Sequence, residues 1–247
     1  MEIPTTKQII IRIVAIIALV ELGIMILFVN IPFAIGSYAE VVLDVIILVV
    51  LSTPIIYIWI IKPYVVARDE AVIQINLMAY QDPLTQLANR RMLAEYLEKL
   101  ISSNVRRRVY GALLFIDLDG FKRVNDNNGH DAGDAILIEV ATRLSSYVRT
   151  EDIVSRIGGD EFVVVMNTLD SDKQVANEKA LLISERIHLD LKKSMNFKNV
   201  TFQIDASIGL RLLAPEKTSV ESVLKDADEA MYCAKQAGKG GIVVSVK

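Results

Sequence analysis

Two apolar runs near the N-terminus dictate what the first quarter of this chain can be. Ile9 to Val29 is almost continuous Ile, Val, Leu, Ala and Met, broken by charge only at Arg12 and Glu21. Val41 to Ile61 is a second such run, broken mainly by Asp44. Each has the roughly twenty residues with which an α-helix crosses a bilayer core about 30 Å thick. Helices of a soluble domain carry a polar stripe, and neither run has one. Pro54 lies inside the second run and is tolerated where neighbouring helices or water satisfy the carbonyl it frees. The intervening stretch, Asn30 to Glu40, has no Lys or Arg, whereas Lys7 and Arg12 lie at the outer end of the first run and Lys62 and Arg68 follow the second. The positive-inside rule then puts both termini on the cytoplasmic side. The competing reading is a signal peptide cleaved near Ser37-Tyr38-Ala39, but the first run is too long for an ordinary signal core. Glu21 and Asp44, at membrane depth, suit either a polar helix contact or ligand site, or groups tolerated near an interface.

After Lys62 the chain turns polar without losing helical rhythm. Ile61, Val65, Val72, Ile75 and Ala79 fall on an a/d seam that only Arg68 violates. A dimeric coiled coil and an amphipathic helix packed on its own domain both show such a seam. The helix is expected to end at Asp82-Pro83, because a residue before proline is pushed out of helical geometry. The expected organisation is two transmembrane helices within 1–61, a helical connector over 62–81 and a cytoplasmic domain over 82–247. The net charge of −3 lacks the basic balance of a nucleic-acid-polymer binder. The single cysteine, Cys233, excludes an intrachain disulfide, fits a reducing compartment and is expected to pack in a helix core.

The polar part alternates strands and helices. Helices are expected at about Asn89–Ser102, Asp131–Val148, Lys173–Lys193 and Ser219–Ala237. Strands are expected at Tyr110–Asp117, on both sides of a hairpin near Gly158, at Val200–Leu212 and at Gly241–Val246. A hairpin interrupting the alternation argues for an α/β or α+β sandwich, with helices packed on a mixed sheet.

Chemistry gathers at four places along this frame. The apolar strand Gly111 to Ile116 ends in Asp117-Leu118-Asp119-Gly120. A carboxylate there is costly to desolvate unless it is paired or binds a cation, so Asp117 is a hard-metal ligand candidate and Asp119 reads as a turn residue. Arg156-Ile157-Gly158-Gly159-Asp160-Glu161-Phe162 lies between β-type runs and has the composition of a tight hairpin carrying two more carboxylates. Two such clusters brought together would make a metal site for phosphate chemistry. Phe121 to Asp134 is rich in Asn, Asp, Gly and includes His130; alone it reads as a loop and helix cap, although its amides and carboxylates could meet a base edge. Lys235 and Lys239, one helical turn apart, would suit polyphosphate or simply form a solvated face.

Together these motifs resemble the GGDEF family of diguanylate cyclases, over essentially all of Asp82 to Val246. Asp82-Pro83-Leu84-Thr85 with Leu87-Ala88-Asn89-Arg90-Arg91 resembles the opening signature, with Gln86 where glycine is usual. Asp117-Leu118-Asp119-Gly120-Phe121-Lys122, Asn125-Asp126, Gly129-His130 and Gly133-Asp134 match the central signature, and Gly158 to Phe162 is the name motif unaltered. Ala206 to Gly209, and Ala227-Asp228 through Met231 to Lys235, match the closing segments, while Lys239-Gly240 replaces a more usual Arg-Asn. The replacement keeps the charge and loses the bidentate fork.

The resemblance implies a palm-like nucleotide-cyclase fold and Mg²⁺-dependent condensation of two GTP into cyclic di-GMP and two pyrophosphates, with Mn²⁺ as an alternative ion. It implies a homodimer, each protomer holding one GTP and the two half-sites facing each other; the two apolar runs add the bacterial inner membrane as its expected location. Position by position, Asp117, the Leu118 carbonyl and Asp160 would hold the metal. Glu161 would join metal binding or deprotonate the 3′-hydroxyl, with Asp160 as its rival. Asn125 and Asp134 would read guanine, His130 would line the nucleotide site, and Lys122, Lys235 and Lys239 would face phosphate. Arg149 and Asp152, three apart and just before the hairpin, match the family's inhibitory product site; the plain reading is a helix end followed by a turn. Two alternatives are a catalytically inactive GGDEF-like nucleotide- or partner-binding module and a cyclase making a mixed dinucleotide. Adenine accepts at N1 where guanine donates, so Asp134 favours guanine. Membrane lipid and a membrane protein are the remaining expected partners, since the external loop of about a dozen residues is too short to fold as a sensory domain.

Overall fold

The structure is a computed structural model that describes residues 6–30, 37–198 and 200–245. It divides into two compact units, Met1–Asn76 and Leu77–Lys247.

In the first unit, α1 (Thr6–Asn30) packs on α2 (Ser37–Ile56). Lys7–Leu27 and Val41–Ile73 are long and apolar enough to cross a membrane, with mean hydropathies of 2.7 and 2.6. Their apolar side chains mostly point outward, as lipid-facing ones would; Ile24 is among the few buried ones, as is the polar Ser52. Past Pro54 the helix widens into a π-helical turn, Tyr57–Ile61, and continues as α3 (Lys62–Tyr80). Such turns occur where an inserted residue or a missing donor disturbs the ordinary ladder. The expected seam therefore starts on the π-helical turn at Ile61. Val65 and Val72 are exposed in the single chain, and the side chain of Ile75 lies outside the described residues. Residues 31–36 of the expected external stretch also lie outside them, and α2 already begins at Ser37.

The second unit begins its regular structure with α4 (Arg90–Arg107), β1 (Tyr110–Asp119), α5 (Phe121–Asn128) and α6 (His130–Ser146). Next come the hairpin β2 (Ile153–Gly158) and β3 (Glu161–Asp170), α7 (Lys173–Leu191) and a small hairpin of β4 (Met195–Phe197) and β5 (Val200–Phe202). Last are β6 (Asp205–Leu213), α8 (Val220–Gln236) and β7 (Ile242–Val244). The main sheet has the order β2-β3-β1-β6-β7, antiparallel except for the parallel pair β6/β7. This is the mixed-sheet α+β architecture that the alternation implied. Side chains alternate across a strand, so β1 feeds two cores. Leu114, Ile116 and Leu118 pack with the α6 and α7 side, whereas Leu113 and Phe115 pack with α4 and α8. A strand buried on both faces must be almost wholly apolar, which is why β1 reads as a continuous hydrophobic run.

Local chemistry fixes the helix ends. Asn89 caps α4 by accepting from the Arg91 and Met92 N–H groups, Asp172 caps α7 through the Val175 N–H, and Ser219 caps α8 through the Ser222 N–H. Three expectations are corrected. The strand expected over Val200–Leu212 is two strands, because Val200–Phe202 turns back onto Met195–Phe197 and β6 starts only at Asp205. The segment after Gly120 is helical, not loop, with Phe121 buried beneath it. Cys233 is exposed on α8 rather than in its core.

Candidate active site

The acidic centre is built by strand register. β1 lies in the middle of the sheet, and Asp117, near its end, stands opposite Glu161 on β3 and Ser207 on β6. The β2–β3 turn is Gly159-Asp160, with Gly159 at φ +42°, a conformation that favours glycine. The turn folds back so that the Leu118 N–H donates to the Asp160 carbonyl at 3.3 Å. Asp117, Asp160 and Glu161 therefore converge from two elements. Burial pushes the Asp117 carboxyl up, an effect opposed by its hydrogen bond with Lys235 and reinforced by the charge of Asp160. Burial and then the charges of Asp117, Asp228 and Asp160 push Glu161 up as well. Mutually repelling, partly buried carboxylates of this kind are stabilised by a hard cation.

The turn is gripped from behind. Arg156 donates from Nε and Nη2 to the Gly159 carbonyl at 2.9 and 2.7 Å, and from Nη1 to Asp82 at 3.1 Å. Asp82 also accepts from the Thr85 amide and hydroxyl. Burial alone would raise the Asp82 carboxyl, but the Thr85 hydrogen bonds and Arg156 together hold it below the usual range. The β2–β3 turn is thereby tied to Asp82, just past the end of α3. Arg156 lies two residues before the name motif, and nothing in its spacing announced this role.

The lysines divide. Lys122 and Lys239 are exposed. Lys235 is on the last turn of α8, and its ammonium lies 2.7 Å from Asp117 Oδ2. The residue expected to face phosphate thus compensates a candidate metal ligand here.

On the α5–α6 side, the Oδ1 atom of Asn125 is buried and has no hydrogen-bond partner. A buried, unpaired amide oxygen costs about 1–3 kcal/mol and is a place for an incoming donor. Gly133 makes this placement available, since a Cβ there would sit 1.9 Å from Asn125 Oδ1. Asp134 is exposed one residue further along α6. His130, at the start of α6, lines a cavity of about 380 Å³ with Asp131, Phe197, Lys198 and Phe202, rather than the acidic cluster. Asp152 uses both carboxylate oxygens on main-chain donors, accepting from the Arg149 and Asn167 N–H groups, and the Arg149 guanidinium is exposed. Asp119, read as a turn residue, instead bonds Ser207 and the Gly240 amide, and Asp228, unassigned from the sequence, faces Glu161. Only the folded placement of β6, α8 and the segment after α8 could have revealed either.

Known proteins resemble this chain in sequence and fold. The family model described as "Diguanylate cyclase, GGDEF domain" matches residues 79–241. The bifunctional diguanylate cyclase/cyclic di-GMP phosphodiesterase MucR of Pseudomonas aeruginosa is 38% identical over 164 residues, 66% of this chain and 23% of that protein. The response regulator PleD of Caulobacter vibrioides is 39% identical over 173 residues, 67% of this chain and 36% of that protein. The chain therefore spans about a quarter to a third of the length of these curated relatives. A solved structure of the GGDEF domain of TpbB from Pseudomonas aeruginosa superposes with a TM-score of 0.63 at 33% identity, covering 67% of this chain and 94% of that one.

Proposed function

Since the chain belongs to the GGDEF family, we propose that it is a diguanylate cyclase, condensing two GTP into cyclic di-GMP with release of two pyrophosphates. The observation that carries this reading is the convergence of Asp117, Asp160 and Glu161 at the end of the central strand. Among the described residues no three His, Cys, Asp or Glu side chains form a complete ion cage. Mg²⁺ typically takes one or two protein carboxylates together with substrate phosphate oxygens. Asp117, the Leu118 carbonyl and Asp160 would hold it, or Mn²⁺ in its place. The ion would supply charge neutralisation at the transferring phosphoryl group.

The chain's own groups do the rest. Asn125 and Asp134 bind the guanine edge, the amide oxygen and carboxylate accepting from its N–H groups, and His130 lines the approach to the nucleotide. Lys122, Lys235 and Lys239 orient the phosphates. Glu161, or Asp160, accepts the proton of the 3′-hydroxyl. Phosphoryl transfer needs positioning and charge neutralisation more than covalent help. Two protomers, each with one GTP, face each other so that each 3′-hydroxyl attacks the other's α-phosphate.

Residues 1–61 anchor the enzyme through two spans in the bacterial inner membrane, 62–81 connect them to the cyclase domain at 82–247, and both termini lie in the cytoplasm. The charge pattern around the two spans supports this topology. The a/d seam supports a homodimer, with membrane lipid and a membrane protein as further partners. Purified protein supplied with GTP and Mg²⁺ is expected to release two pyrophosphates per cyclic di-GMP. A folded preparation that yields neither would overturn the reading.

Arg149 and Asp152 form an inhibitory site for the product in this reading. A guanidinium meets phosphate or a guanine edge with two hydrogen bonds. Arg149→Ala is expected to relieve inhibition by added cyclic di-GMP while leaving the initial rate unchanged, as read from progress curves. Equal inhibition of both proteins would make the pair structural.

A further inference from the structure

We propose that Asp119 is a positioning residue that latches the 237–241 loop, and with it Lys239, at the triphosphate end of the nucleotide site. The proposal rests on the reading of that site as a GTP site. Asp117 and Asp119 are two apart on β1, so they share one face of the strand. Asp119 Oδ2 accepts from Ser207 Oγ at 2.8 Å and from the Gly240 N–H at 3.0 Å, 121 residues away in sequence. A second carboxylate beside a phosphate subsite repels the ligand, so its presence calls for a structural return. Fixing a lysine is such a return.

The loop needs fixing. After α8 ends, Gly238, Lys239 and Gly240 have φ of +126°, +67° and +63°. A left-handed conformation costs a side-chain-bearing residue such as Lys239 about 1–2 kcal/mol, so the loop does not hold this shape by its own preference. Its far end is pinned to the sheet, where the Gly241 carbonyl accepts from the Ile208 N–H at 2.8 Å. Its middle is held by Asp119.

A second carboxylate walls the loop from the other side. A Cβ on Gly240 would sit 2.1 Å from Asp205 Oδ2. Asp205 is itself anchored, by His188 Nε2 and Lys192 Nζ at 2.9 Å each. Asp119 and Asp205 are register partners across β1 and β6. The loop thus crosses the end of one strand pair, held by one carboxylate and packed against the other, and a Cβ at 240 would push on the Asp205 side chain.

The test is binding of a non-hydrolysable GTP analogue and of GMP to the full-length protein at saturating Mg²⁺. It compares wild type, Asp119→Ala, Asp119→Asn, Lys239→Ala and the Asp119→Ala/Lys239→Ala double variant. Asp119→Ala is expected to weaken analogue binding about tenfold, the scale of one charge-assisted hydrogen bond, and to leave GMP binding unchanged. Asp119→Asn keeps an acceptor and should recover most of the loss. The double variant should bind no worse than Lys239→Ala alone, because both changes disable one device. Equal weakening for GMP and the analogue, additive losses, no loss in Asp119→Ala, or a defect cured by more Mg²⁺ would each overturn the latch. So would unchanged analogue binding in Lys239→Ala. Wild type that binds the analogue no better than GMP would sink the underlying site reading instead. A measurement that needs no variant is hydrogen exchange in wild type. The Gly240 amide is expected to be protected, and exchange as fast as in an unstructured loop would overturn the latch.

Discussion

Asp160→Asn is expected to lower turnover by about a thousandfold or more, the kinetic equivalent of at least ~4 kcal/mol of transition-state stabilisation, without unfolding the protein. The two halves of this expectation have separate causes. The charge of Asp160 acts on Asp117 and Glu161, where it adds to a repulsion that a bound cation would relieve. The turn itself is held by main-chain groups, through Arg156 on the Gly159 carbonyl and the Leu118 N–H on the Asp160 carbonyl. An amide at 160 removes the first without touching the second. Turnover measured with a thermal melt on the same preparation checks both. Near-wild-type turnover in the folded variant would mean that the acidic centre is assigned wrongly.

Gly209→Ala is expected to do the opposite, destabilising the fold before any chemistry is reached. Gly209 is in β6, opposite Phe115 of β1, and α8 lies directly over it. A Cβ there would be 2.0 Å from the Ala227 carbonyl oxygen, 2.4 Å from the Met231 nitrogen and 3.0 Å from its Cα. All three are backbone atoms, so no side-chain rotation relieves the clash. α8 must move away, opening the core that Val223, Ala227 and Met231 form with Leu113 and Phe115. Overpacking of this kind costs about 3 kcal/mol or more, which for a domain of this size lowers Tm by roughly 6–12 °C. Gly241→Ala is the control, since a Cβ at 241 meets nothing within 4 Å. A Gly209→Ala protein melting within about 2 °C of wild type would refute the close approach of α8 to β6.

The parts of this fold that were legible in the sequence are those in which the chain meets itself locally. β1 and β3 announce themselves as β-branched and apolar runs, the Gly158-Gly159 turn by its glycines, and α8 by its apolar face. α5 did not, because eight residues rich in Asn, Asp and Lys carry too few apolar positions to show a period, and its single deep anchor is Phe121. The break between β5 and β6 was hidden for a related reason. Val200–Phe202 has strand composition, but its partner is Met195–Phe197, and composition does not say which strand a strand will pair with. At the candidate site, Asp117, Asp160 and Glu161 were visible as motif residues. The pairing of Lys235 with Asp117, the bond from Arg156 to Asp82 and the bond from Gly240 to Asp119 join residues 74 to 121 positions apart. No local pattern encodes such a contact. Cys233 shows the converse error, since an apolar residue on an amphipathic helix can still fall on its outer face.

The most direct test of cyclic di-GMP synthesis is the identity of the product. Purified protein incubated with Mg²⁺ and GTP, ATP or an equal mixture should yield cyclic di-GMP from GTP and from the mixture, identified by mass spectrometry, and nothing from ATP alone. A cyclic dinucleotide containing adenine would contradict guanine reading by Asn125 and Asp134. No product from a folded, nucleotide-binding protein would make the chain a binding module and contradict the cyclase itself.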